Sequence, residues 1–64
     1  MPHQQFAALR LRVESAYLPF ITALDQAGRH PDPRRLEELR ESTDVLMRAL
    51  AGVMLAIAQT TSTH

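Results

Sequence analysis

The tetrapeptide "HPDP" at residues 30–33 divides this chain more firmly than anything else in it. Proline lacks a backbone N–H and has a fixed φ, so a helix arriving from the N-terminal side cannot continue through Pro31. Gly28, just upstream, suits the left-handed position that closes a helix. Asp32 is a good N-cap and Pro33 a good first helical residue. The stretch therefore predicts one helix ending near Ala27 and another starting at Pro33. A connection this short makes the two helices antiparallel neighbours.

Both flanking segments carry helical periodicity. Over residues 4–27, apolar or small side chains recur at Phe6, Leu9, Val13, Ala16, Phe20, Ala23 and Ala27. Over residues 33–59 the corresponding stripe is Leu36, Leu39, Thr43, Leu46, Leu50, Val53 and Ile57. Steps alternating between three and four residues are the mark of helices packed at a shallow angle. Nothing alternates with period two, so no strand competes. The expected fold is all-α: a two-helix antiparallel hairpin, one domain over residues 1–64, with residues 60–64 frayed. Pro19 removes one backbone bond, to the carbonyl of Ser15, and so kinks helix 1 or breaks it between Leu18 and Phe20. The pairs Arg34–Glu38 and Asp44–Arg48 have the i,i+4 spacing of helix-surface ion pairs.

Such a hairpin is short of core. Its seam includes Ala16, Ala23, Ala27 and Thr43, which bury little, and the chain has no cysteine. Small domains with neither disulfide nor metal commonly meet that shortfall by associating. The sequence also indicates where. Residues 49–58, "ALAGVMLAIA", carry no charged or polar side chain. Beside the seam lie Tyr17, Ile21 and Leu24 on helix 1, and Met47, Ala51 and Met54 on helix 2. Leu50 closes the seam next to them, and Val45 and Leu55 stand further round helix 2. These nine are the expected partner-binding residues. The opposite flank, Arg12, Pro19, Gln26, Ser42, Ala49 and Ala56, is smaller and more polar. The other way to cover the surplus is a monomer folded back through Pro19.

Several function classes find little support. The chain has equal numbers of basic and acidic residues, seven each, every basic one an arginine. That disfavours charge-driven binding to nucleic acid, which rests on an excess of cations. The densest basic spot, Arg29, His30, Arg34 and Arg35, reads as a charged exposed turn. His3, His30 and His64 lack the helical spacing of a ligand pair, so no metal site is expected. No nucleophile, acid–base pair or phosphate loop is apparent, so neither enzyme activity nor a cofactor is expected. The start of the chain lacks the pattern of a secretory signal. The apolar run is about half of the roughly 20 residues that span a bilayer, so membrane insertion is not expected.

The layout resembles a family of small helical hairpins that act as co-chaperones for the needle subunit of bacterial type III secretion systems. The likeness lies in residues 10–58 and above all in "LRESTDVLMRALAGVMLAIA", residues 39–58. A polar, charged start there passes into an Ala-, Gly- and Leu/Ile-rich end, and Gly28 matches a mid-chain turn. Pro19 and the HPDP turn depart from the family's pattern. The resemblance implies a cytoplasmic, non-catalytic protein that joins a larger helical-repeat chaperone to hold the needle subunit monomeric. It implies binding through Met47, Leu50, Met54 and Leu55 with Tyr17 and Ile21. The alternative expectation is a homodimer, a four-helix bundle made of two hairpins serving as a regulator or assembly factor. The back-face residues Leu11, Leu18, Val45 and Leu55 exceed what such a bundle needs, and they favour a foreign partner.

Overall fold

A computed structural model describes residues 2–61. Two helices make up the fold: α1, His3–Arg29, and α2, Pro33–Thr61. They pack against each other as an antiparallel hairpin, the expected architecture.

The turn works largely as its residues dictate. Asp32 caps α2: the backbone N–H of Arg35 donates to its Oδ1 at 2.9 Å. The N–H of Leu36 then donates to the Asp32 carbonyl at 3.0 Å, the first bond of the helix. The end of α1 differs from the expectation. Gly28 lies inside the helix, and no described residue has a positive φ. The helix runs two residues further than expected, to Arg29, and its cap residue His30 has φ −133° and ψ 72°. The residue before a proline is pushed out of helical geometry, so Pro31 ends the helix and no left-handed glycine is needed. The N–H of His30 still donates to the carbonyl of Gln26 at 2.8 Å, which satisfies one terminal acceptor.

Pro19 does not break α1, which runs unbroken from His3 to Arg29. Its missing N–H leaves the Ser15 carbonyl without the usual donor, and both residues line an open groove on one side of the hairpin. A lost bond is tolerated best on an exposed side. At the other end, α2 runs beyond residue 59. Thr60 and Thr61, expected to be frayed, are helical, and their hydroxyls donate to the carbonyls of Ala56 at 2.9 Å and Ile57 at 3.1 Å. The rest of the expected tail, residues 62–64, lies outside the described residues.

The seam is where the structure departs most from the heptad reading. On α1, Leu9, Val13, Ala16, Phe20, Ala23 and Ala27 face the partner helix as expected, whereas Phe6 is exposed. On α2, Leu36, Leu50 and Ile57 are exposed, and Ser42, Ala49 and Ala56 face α1 beside Leu39, Leu46 and Val53. The only fully buried described residues are Ala16 and Ala49, at 7% and 6% exposure. Small side chains let two backbones approach closely, and the helices close where Ser42, Ala49 and Ala56 form a stripe of them. The resulting body is a thin slab with extents of 49 × 18 × 12 Å. Its radius of gyration is 14.9 Å, against about 11 Å for a globular chain of this length.

Candidate functional site

Turning α2 about its axis to put Ala49 in the seam sorts the remaining side chains onto two unlike sides. One side is an open groove lined by Arg12, Ser15, Ala16 and Pro19 of α1 and by Glu41, Ser42, Val45, Arg48 and Ala49 of α2. Its walls mix charge, hydroxyl and small apolar groups.

The other side follows from helical geometry, since residues three, four and seven apart share a face. There α1 presents Phe6, Tyr17, Ile21 and Leu24, and α2 presents Leu36, Met47, Leu50, Met54 and Ile57. All nine are exposed, Met54 at 67% and Leu36 at 64%. Isolated exposed apolar residues are ordinary, but a contiguous strip of this kind marks an interaction surface.

Two polar side chains on this face have partners within the hairpin. The Thr43 hydroxyl donates to the carbonyl of Leu39 at 2.7 Å, which uses its one donor. Arg10 falls between Phe6 and Tyr17, and its Nε donates to Glu14 Oε1 at 2.8 Å. The Tyr17 ring lies against Phe20, centroids 6.4 Å apart and tilted by 40°, which ties the face to the seam beneath it.

Of the nine residues expected to bind a partner, Tyr17, Ile21, Leu24, Met47, Leu50 and Met54 come together on this face. Val45 stands in the groove on the opposite side. Helical geometry puts Leu55 at the outer edge of that groove side and Ala51 on the back of α2, both exposed. Phe6, Leu36 and Ile57 belong to the face and were assigned to the seam. The signal that could have placed them is the seven-residue spacing of Ser42, Ala49 and Ala56. Gly52 is not approached closely by any other part of the hairpin. A Cβ built on it meets nothing within 4 Å.

The basic turn is largely neutralised by its own neighbours. Arg29 pairs with Asp25 at 3.1 Å, and Arg34 and Arg35 reach Glu38 at 3.4 and 3.7 Å. The expected Asp44–Arg48 pair is not formed among the described residues. No group of three or more His, Cys, Asp or Glu side chains among the described residues could hold a metal ion. By length and composition α2 is apolar enough to cross a membrane. Its uncharged part, residues 49–61, spans roughly 20 Å as a helix, against about 30 Å of hydrocarbon. No family model, no curated protein and no solved structure matches this chain.

Proposed function

We propose that this chain is a non-catalytic protein-binding module that lays the apolar face of its hairpin on helices of another chain. One observation carries the reading. The hairpin buries two alanines fully and leaves nine large apolar side chains in water on a single face. Helical anchors at i, i+3, i+4 and i+7 are how amphipathic helices dock against one another. Met47 and Met54 suit such a surface, because a flexible thioether adapts to an irregular partner.

The more specific form of this reading is the secretion co-chaperone, in the cytoplasm, with a helical-repeat chaperone and a needle subunit as partners. It rests on the resemblance of residues 39–58, and the apolar face gives it a physical basis. A surface that accepts a helix can cap a helical subunit that would otherwise polymerise. Leu11, Leu18, Val45 and Leu55, exposed off the main face, offer further contacts to a partner larger than the hairpin.

Coexpression with a helical-repeat chaperone and a needle subunit from the same genome tests it. The expected result is a stable ternary complex that Met54→Asp abolishes. Failure of wild-type chain to join either protein overturns the co-chaperone form. The module reading falls if the purified chain proves to be a stably folded monomer whose thermal midpoint does not depend on concentration.

A further inference from the structure

The surface area of the hairpin says how much covering it lacks. Its accessible surface is 5196 Å², whereas a compact monomer of its mass exposes about 4,100 Å². The excess, on the order of 1,000 Å², is comparable with the ~800 Å² that each partner contributes to a standard stable interface. The apolar face is also the right size. One broad side of the 49 × 18 Å slab covers roughly 900 Å².

We infer that the occupant of this face in the free protein is a second copy of the same chain, forming an antiparallel four-helix dimer about a two-fold axis. The inference rests on the reading of the face as protein-binding, and it names the partner. Three observations favour a second copy. A hairpin matches another hairpin in length and width, so every residue from Phe6 and Ile57 at one end to Leu24 and Leu36 at the other is covered. The chain carries no net charge, so two copies meet without long-range repulsion. The Thr43 hydroxyl and the Arg10 Nε of this face already have partners within the hairpin, and the Tyr17 hydroxyl can reach water at the rim of a contact. A two-fold contact joins like to like, and an apolar face with few open polar groups complements itself.

Covering the two faces, roughly 900 Å² on each copy, removes about 1,800 Å² in total, the size of a standard stable interface. Leu18 and Leu55 lie outside the contact. A foreign chain can still bind there without opening the dimer, whereas a client that needs Leu50 or Met54 must displace the second copy.

The test is the molar mass of the full purified chain by light scattering after size exclusion, with circular dichroism on the same peak and melts over a hundredfold concentration range. The expected result is a helical species of twice the 7.2 kDa chain mass whose thermal midpoint rises with concentration. Met54→Asp is expected to shift the mass to the monomer and lose most helicity. Leu55→Asp, on the other side, is expected to leave the dimer intact. A poorly helical monomer that folds only with a foreign helical chain overturns the second copy and leaves the module reading standing. A helical monomer with a concentration-independent midpoint overturns both. A dimer lost through Leu55→Asp and kept by Met54→Asp overturns the choice of face.

Discussion

Ala16 and Ala49 are the two most buried described residues of the hairpin, and the next residues along each helix, Tyr17 and Leu50, stand in water. Within one step of the chain the environment passes from closed to open while the side chain passes from small to large. Ordinary domains arrange this the other way, with large apolar groups inside. Here the seam is selected for closeness and the face for area. The seam sets the distance and register of two backbones. The face holds most of the apolar surface that remains to be removed from water, and apolar burial is the main source of folding free energy. So the seam defines the shape, and on the proposed reading the chain that covers the face supplies much of the stability.

The largest way to break that contrast is to spoil the seam. Ala49→Glu forces a long charged side chain into the buried seam between α1 and α2, where only a methyl group fits. A loss of at least about 3 kcal/mol is expected, with collapse of helicity by circular dichroism at every protein concentration.

Truncating the face sharpens the contrast. Leu50→Ala is expected to cost about 2 kcal/mol or more in chemical denaturation, the range for a large side chain taken out of a packed core. A surface leucine changed in the same way costs within about 0.5 kcal/mol. Leu18→Ala, on the back of α1 at 69% exposure, is the matched control for that smaller figure.

Smaller effects separate local structure from packing. Asp32→Ala removes the side-chain cap of α2 and is expected to cost about 1 kcal/mol, alike in the presence and absence of a covering chain. Gly52→Ala runs in the other direction. The site is helical and an added Cβ meets open space, so a gain of roughly 0.5–1 kcal/mol is expected in thermal melts. A loss at that position would reveal a close approach by a chain outside the hairpin.

Much of this architecture was legible in the residues themselves. Pro31, Asp32 and Pro33 act through their own backbone chemistry, so the turn and the start of α2 could be read directly. The stripe on α1 was legible because its alanines and large residues already share one heptad. On α2 the heptad rule pointed to Leu36, Leu50 and Ile57 because they are the large apolar residues at the right spacing. The helices close instead on Ser42, Ala49 and Ala56. Hydrophobic spacing identifies which residues avoid water, but it does not say whether they avoid it inside the hairpin or against another chain. Gly28 shows the same limit at the turn. Its composition allowed a left-handed cap, and the neighbouring proline made that cap unnecessary.

The sequence by itself determined that there are two helices, where they part, and that their summed apolar surface exceeds what one seam can hold. These follow from local backbone preferences and from counting side chains. Only the tertiary structure decided the rotation of α2 about its axis, and with it which side chains form the seam and which form the face. That rotation depends on how closely two backbones can approach, which is a property of both helices at once.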